Sequence, residues 1–186
     1  AIPPFGFVID YLTYGGLYRE VWLEATAESR LTDLFVYTPT LQEAVVQWTA
    51  ELTPAAAAVR IRLENADGAL LAEQTAPVAE TGKMQLSVPE AQPWDTEHPV
   101  LHHAVAELLN AAGQPIDRKQ VTFGFRTAEF RADGFYLNGK KTFLRGLNRH
   151  QSYPYIGYAA PESLQREDAR ILQEELHCTA VRTSHY

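Results

Sequence analysis

Residues 144–150 read LRGLNRH and residues 180–186 read AVRTSHY, and these two stretches decide the fold of the second half of the chain. Each begins with an apolar residue and carries Arg and His further along, a pattern typical of a buried strand with polar groups at its C-terminal end. Between them, Pro161 begins a predicted helix that reaches about His177. Two such strands joined by a crossover helix predict the opening β-α-β unit of a (β/α)8 barrel, where chemistry is carried at the C-terminal strand ends.

The predicted helix has one apolar stripe and one charged side. Leu164, Ile171, Leu172 and Leu176 recur at helical spacing, which indicates one face packed on the strands. On the opposite side, Glu162–Arg166 and Arg170–Glu174 are expected as i,i+4 ion pairs. Since the sequence stops after the second strand, we expect an incomplete barrel whose apolar faces favour a homo-oligomer or self-association through this unclosed segment.

Residues 30–127 alternate apolar and polar side chains with a period of two, which is typical of strands with one face on a core and one in water. Turn signals divide this region into seven short strands, near 31–38, 43–52, 57–64, 70–78, 83–88, 100–109 and 115–125. Seven antiparallel strands over about 100 residues predict an immunoglobulin-like β-sandwich. The fold class is therefore mainly β: a sandwich of about seven strands, followed by the incomplete β-α-β start of a barrel.

Two shorter segments flank the sandwich. Residues 17–23 are predicted to form a strand after the turn at Gly15-Gly16, and residues 133–141 a hairpin with an Asn138-Gly139 turn.

Composition excludes some functions. The net charge of −7 argues against a nucleic-acid partner, and no apolar stretch is long enough to predict a membrane partner. A single cysteine, Cys178, rules out an internal disulfide and is expected to be buried at the helix end.

His102 and His103 occupy adjacent strand positions and should point to opposite faces, so we expect no metal site there. Trp48 and Trp94 are expected to pack in the sandwich.

Six motifs follow one another along the chain. They are DYLTYGGLYREV at 10–21, PWDTEHP at 93–99, GFR at 124–126, FYLNGK at 135–140, RGLNRHQ at 145–151 and AVRTSHY at 180–186. Their order and spacing resemble glycoside hydrolase family 2, which contains β-galactosidases, β-glucuronidases and β-mannosidases. Within that family, the Asn-Arg-His block at 148–150 and the Arg-x-Ser-His-Tyr block at 182–186 look most like β-galactosidases.

The resemblance implies three domains: residues 1–26 as the last strand of an upstream sugar-binding jelly roll, 27–128 as the sandwich, and 129–186 as the N-terminal part of the barrel. It also implies a retaining β-galactosidase as the parent protein, with a β-galactoside as its substrate. This chain is expected to hold no cofactor, whereas the intact enzyme could use magnesium and sodium.

The resemblance also implies roles for single residues. A retaining glycosidase needs two carboxyl groups about 5 Å apart. In this family both are glutamates downstream of Tyr186, so this chain should contain no catalytic residue and be inactive alone. In the parent, Arg182 would bind the nucleophile, while His150 and His185 would contact sugar hydroxyls. Asp10 would contact the 6-hydroxyl and a sodium ion.

Two other interpretations remain open. One is a non-catalytic sandwich module that binds carbohydrate or protein through an exposed aromatic patch. A sandwich that serves only as a spacer between neighbouring domains should instead have a polar outer face. The other is part of a related β-glucuronidase or β-mannosidase.

Overall fold

The computed structural model describes residues 16–183, and the chain forms two compact units. One unit is Ala25–Thr142, and the other consists of the segments before and after it. Within the described residues, no helix is both long and apolar enough to span a membrane.

The first unit is a sandwich of two antiparallel sheets. The strands are β1 (Arg30–Thr40), β2 (Glu43–Glu51), β3 (Ala58–Glu64), β4 (Leu70–Pro77), β5 (Thr81–Ser87), β6 (His102–Leu109) and β7 (Pro115–Phe123). One sheet has the order β1-β2-β5 and the other β4-β3-β6-β7. The seven-stranded sandwich predicted from the period-two alternation is confirmed, and most strand ends fall within two residues of those predicted.

The core lies between the two sheets, where alternate residues of each strand meet. In β3, Val59, Ile61 and Leu63 are fully buried, while the residues between them are half-exposed. Phe125, which follows β7, is the bulkiest side chain with no solvent exposure. Burying several such side chains, at roughly 1.5–3 kcal/mol each, supplies the driving force that holds the sheets together without a disulfide.

Trp48 is the largest side chain in this core, as predicted. It is 6% exposed, and its indole Nε1 donates a hydrogen bond to the Ala79 carbonyl at 3.1 Å. Gly82 lies opposite it on β5, and a Cβ there would be 2.2 Å from Trp48 Cζ2. A glycine at this position is therefore a packing requirement of the indole.

A small three-stranded sheet follows the sandwich within the same unit. Its strands are β8 (Ala128–Arg131), β9 (Gly134–Leu137) and β10 (Lys140–Lys141). The predicted hairpin turn is confirmed: Asn138 and Gly139 have φ angles of 52° and 76°, as a type I′ turn requires. Asn138 also ties the sheet to the sandwich, because its side chain accepts a hydrogen bond from the Thr127 N–H and donates one to the Trp94 carbonyl.

The second unit contains the predicted β-α-β arrangement. Strands β11 (Gly146–Arg149) and β12 (Ala180–Thr183) pair in parallel, and α1 (Glu162–Arg170) lies between them in sequence. Gly146 allows the close approach of the strands, because a Cβ there would lie 2.4 Å from the Ala180 carbonyl oxygen. The crossover connection expected of a barrel's beginning is confirmed.

The helix departs from the prediction at its C-terminal end. Regular α-helix stops at Arg170, and Ile171–Glu175 form a wider π-helical turn. The Leu176 N–H bonds to the Ile171 carbonyl, and His177, with a φ of 50°, takes the left-handed conformation that commonly ends helices. Cys178, expected to be buried here, is only half-buried.

The strand predicted over residues 17–23 is not present in the structure. These residues have no regular secondary structure, and Trp22 and Leu23 are 76% and 101% exposed. A strand needs a neighbour to receive its backbone hydrogen bonds, and none of the described strands pairs with this segment. Its place in an upstream domain stays a prediction.

Candidate functional site

The C-terminal ends of β11 and β12 bring polar side chains from two parts of the sequence together. The register pairs Asn148 with Arg182 and Arg149 with Thr183. Because side chains alternate along a strand, Asn148 and Arg182 share one face of the pair while Arg149 lies on the other. The polar side chains at these strand ends are therefore divided between the two opposite faces of the β11–β12 pair.

On the first face, Arg182 lies beside Asn148. The Arg182 Nη1 atom is 3.5 Å from the Asn148 Oδ1 atom, a long contact between two largely exposed side chains. His150 follows directly after β11. The structure thus places His150 and Arg182 at the same edge, as the barrel prediction requires, whereas Asp10 and His185 lie outside the described residues.

On the second face, Arg149 forms an ion pair with Asp168 of α1. Its Nε and Nη2 atoms donate to the same Asp168 Oδ2 at 2.8 and 2.6 Å. The two side chains are only 18% and 26% exposed. Tyr153 joins this cluster, and burial together with the neighbouring Asp168 carboxylate raises the pKa of its hydroxyl.

A cavity of about 240 Å³ lies beside this ion pair, between the strand end and the helix. Leu147 and Ile171 supply its apolar wall, while Asn148, His150 and Asp168 supply polar atoms. The cavity is therefore lined by both apolar and polar side chains, which come from the end of β11 and from the helix.

The two strand ends themselves carry no acidic side chain, although Asp168 of α1 reaches Arg149. Neither residues 144–151 nor residues 180–186 include an Asp or a Glu. On the helix surface, Glu167, Glu174 and Glu175 converge on the Arg170 guanidinium at 2.7, 3.1 and 2.8 Å. Arg170 lowers the pKa of Glu167 by hydrogen bonding. The predicted Glu162–Arg166 and Arg170–Glu174 pairs are both present.

The two histidines of the sandwich point to opposite faces, as predicted. His102 is 3% exposed and meets Phe125 edge to face, with ring centroids 4.9 Å apart. His103 points away from the core, where its Nδ1 lies 3.2 Å from the Thr122 hydroxyl. Burial lowers the pKa of His102, and its Nδ1 has no hydrogen-bond partner. Across residues 16–183, no three His, Cys, Asp or Glu side chains cluster as a metal site would require.

The two outer faces of the sandwich differ. On the four-stranded sheet, Arg60 donates two hydrogen bonds to Glu107, which is 6% exposed, and Arg62 lies 3.7 Å from the same carboxylate. On the three-stranded sheet, the rings of Phe35 and Tyr37 are exposed, with centroids 6.2 Å apart. The first face is polar, as expected of a spacer, while the second presents an aromatic pair.

That aromatic pair adjoins a second cavity. A cleft of about 360 Å³ is lined by Phe35 together with Asp33, Gln47, Thr49, Thr81 and Lys83. Its polar groups include an acid, a base, an amide and two hydroxyls.

Sequence reasoning missed the Arg149–Asp168 ion pair and the role of Asn148 beside Arg182. Asp168 did not stand out among the acidic residues of the predicted helix. Its spacing held the signal, because Asp168 lies four residues from both Leu164 and Leu172 and so falls on the apolar stripe. The position of Asn148 beside Arg182 could not be predicted, because it depends on the register of the two strands, which only the structure shows.

Comparison with known proteins adds two family matches. Residues 29–126 match the model of glycosyl hydrolases family 2, and residues 128–186 match the TIM barrel domain of glycosyl hydrolases family 2. Together these matches account for nearly all the described residues.

Individual relatives point the same way. A β-galactosidase from Thermoanaerobacter pseudethanolicus is 37% identical over the whole chain, and a putative β-glucuronidase from Formosa agariphila is 32% identical over 95% of it. The chain spans 26% and 22% of their lengths. The solved Ruminococcus gnavus β-glucuronidase superposes with a TM-score of 0.79 at 26% identity, covering 96% of this chain and 28% of that one. The chain therefore belongs to glycosyl hydrolase family 2, a family of glycosidases, and contains its sandwich and the start of its barrel.

Proposed function

We propose that this chain is part of a retaining β-galactosidase and supplies one side of its sugar pocket. The observation that supports this most is the meeting of Arg182, Asn148 and His150 at the C-terminal ends of two parallel strands. This is the edge at which (β/α)8 barrels carry their chemistry. The full-length galactosidase relatives, of which the chain spans about a quarter, fit the same assignment.

In this proposal the strand ends bind and orient, while the acids come from elsewhere. Glycoside hydrolysis with retention requires one carboxylic acid to protonate the leaving oxygen and one carboxylate to attack the anomeric carbon. Since both strand ends lack acidic residues, the two catalytic glutamates would lie on later strands of the barrel. The chain alone would then be inactive.

Arg182 would fix the nucleophile. A guanidinium beside a carboxylate keeps it ionised and holds its oxygens in a defined plane. His150 and His185 would donate hydrogen bonds to sugar hydroxyls, since an imidazole can do so without adding a negative charge. Asp10 would contact the 6-hydroxyl and a sodium ion, and the intact enzyme could also use magnesium.

The sandwich would act as a rigid spacer in the intact enzyme. Its core is closed on both sides by sheets, and the outer face of the four-stranded sheet is covered by charged side chains such as Arg60 and Arg62. Such a domain can hold its neighbours at a fixed separation without itself binding substrate.

Substrate profiling of the intact protein tests the proposal. We expect nitrophenyl β-galactoside to be cleaved with a far higher kcat/KM than the glucuronide or the mannoside. Arg182→Ala should lower kcat on the order of 100-fold, the usual cost of losing a positioned hydrogen-bond donor. Preference for the glucuronide would instead make the protein a β-glucuronidase, like the solved Ruminococcus gnavus enzyme. No cleavage of any of the three would refute the proposal.

A second candidate function rests on the cleft beside Phe35. An exposed aromatic ring flanked by amide and hydroxyl groups suits a neutral sugar, which offers both an apolar ring face and hydroxyls. Titration of this chain with galacto-oligosaccharides, followed by NMR, would shift Thr49 and Thr81 if sugar binds here. Phe35→Ala should abolish those shifts, while Phe130→Ala, which removes an even more exposed ring on the small sheet, should not.

A further inference from the structure

The Arg149–Asp168 ion pair lies where strand β11 ends and the site residues begin. Arg149 is the last residue of the strand, between Asn148 and His150. Both of those neighbours line the cavity beside the pair. Any force that fixes the Arg149 backbone therefore also fixes the backbone from which these two side chains project.

The ion pair has the geometry to supply such a force. Two guanidinium N–H groups converge on one carboxylate oxygen at 2.8 and 2.6 Å, which fixes the direction of the arginine fork. Both side chains are at least about three-quarters removed from water, so the attraction is screened less than at a surface. Asp168 belongs to α1, so the pair connects the strand end directly to the helix.

Tyr153 adds a second connection on the same side of the strand. Its hydroxyl donates to the Leu164 carbonyl of α1 at 3.2 Å, and Asp168 and Arg149 both affect its titration. The chain is thus connected to the helix at Arg149 and at Tyr153, which lie on either side of His150 in sequence.

We propose that Arg149 and Asp168 are positioning residues, which hold the C-terminal end of β11 so that Asn148 and His150 face the sugar pocket. This inference rests on the proposed glycosidase function. Arg149 touches no reacting atom in this arrangement; it acts through its two neighbours in sequence. The exposed pair Arg166–Glu162 on the same helix provides a matched control, because its side chains are 78% and 75% exposed.

Steady-state kinetics of the intact protein provide the test. We expect Arg149→Lys and Asp168→Asn each to lower kcat by about 10- to 100-fold, the range for groups that orient a site without entering it, with a smaller change in KM. Lysine keeps the charge but loses the planar fork, so it isolates geometry from charge. Arg166→Lys and Glu162→Gln should leave both constants unchanged, and the exchange Arg149→Asp with Asp168→Arg should recover part of kcat.

A structural measurement on this chain tests the positioning role separately from turnover. The side-chain amide signals of Asn148 and the ring signals of His150, followed by NMR, should move in Asp168→Asn and stay in place in Glu162→Gln.

The outcomes separate this inference from the proposed function. If the unmodified intact protein cleaves no glycoside, the proposed function fails. If it does cleave one, and Arg149→Lys and Asp168→Asn match it in kcat and leave the Asn148 and His150 signals unmoved, the positioning role is wrong while the proposed function stands.

Discussion

The sandwich and the β-α-β segment use similar proportions of apolar residues but bury them very differently. In the sandwich, side chains such as Ile61, Leu108 and Phe125 have no exposed surface, because each sheet covers the other. In the second unit, none of the residues of α1 or its π-helical turn is buried, and Phe143 is 82% exposed. The two sheets of the sandwich cover each other's apolar side chains, whereas the apolar pattern of the barrel segment needs further surfaces to cover it.

The sharpest test of this contrast is a pair of phenylalanine substitutions. Phe125→Ala should lower the free energy of unfolding by about 3–5 kcal/mol, because it leaves a cavity in a closed core. Phe143→Ala should change it by less than about 0.5 kcal/mol, since that ring already lies in water. Urea unfolding followed by tryptophan fluorescence measures both. Equal losses would mean that the two regions are packed alike.

A smaller effect is expected from the charged outer face of the sandwich. Glu107→Gln should cost about 1–3 kcal/mol, because it leaves the half-buried Arg60 guanidinium without its charged partner. This is below the value for a fully buried pair, since Arg60 is 27% exposed. The control is Glu51→Gln, which removes the partner of Arg30 at a surface where both side chains are well exposed. Similar costs for the two variants would contradict the account.

The pH dependence of the sandwich should reflect His102. Burial lowers the pKa of this imidazole in the folded state, so below about pH 6.5 the unfolded chain binds more protons than the folded one. The free energy of unfolding should therefore fall as the pH drops from about 7.5 to 5. Phe at position 102 would keep the ring and remove the proton site.

The measurement compares the pH slopes of the two proteins. The slope should be shallower in His102→Phe than in the unmodified chain, and the difference should be largest below pH 6.5. Identical slopes would show that His102 titrates as freely as in the unfolded chain.

The smallest energetic effect concerns the second unit. Phe143, Leu147, Leu176 and Val181 are all at least 49% exposed, and exposed apolar surface of this kind tends to pair with another copy. We propose that the isolated chain self-associates, with an average mass in light scattering that rises with concentration. Val181→Ser and Leu147→Ser should shift the mass toward that of a monomer. A concentration-independent monomer would contradict the proposal.

The sequence predicted the sandwich well because its physics is local. Strand β3 alternates Val59, Ile61 and Leu63 with charged residues, and that pattern alone sets which face is buried. The Asn138-Gly139 turn was equally readable, since few residue pairs adopt two consecutive positive φ angles.

Features that depend on distant partners were harder to predict. The apolar residues of 17–23 suggested a strand, yet strand formation requires a neighbouring backbone that the sequence pattern does not specify. The change to a π-helical turn at Ile171 was not predicted, because the apolar stripe continues through Leu172 and Leu176 at helical spacing. At the candidate site, the motifs identified Arg182 and His150. The pairing of Arg149 with Asp168 could not be predicted, because it joins residues 19 positions apart in sequence.

The most direct measurement is turnover of nitrophenyl β-galactoside by the purified 186-residue chain, compared with the intact protein at equal molar concentration. The account predicts cleavage by the intact protein and a rate no higher than buffer for the chain, because neither strand end carries an acidic residue. Saturable cleavage by the chain that is lost in Arg182→Ala would contradict it, since the chain would then hold a complete catalytic pair.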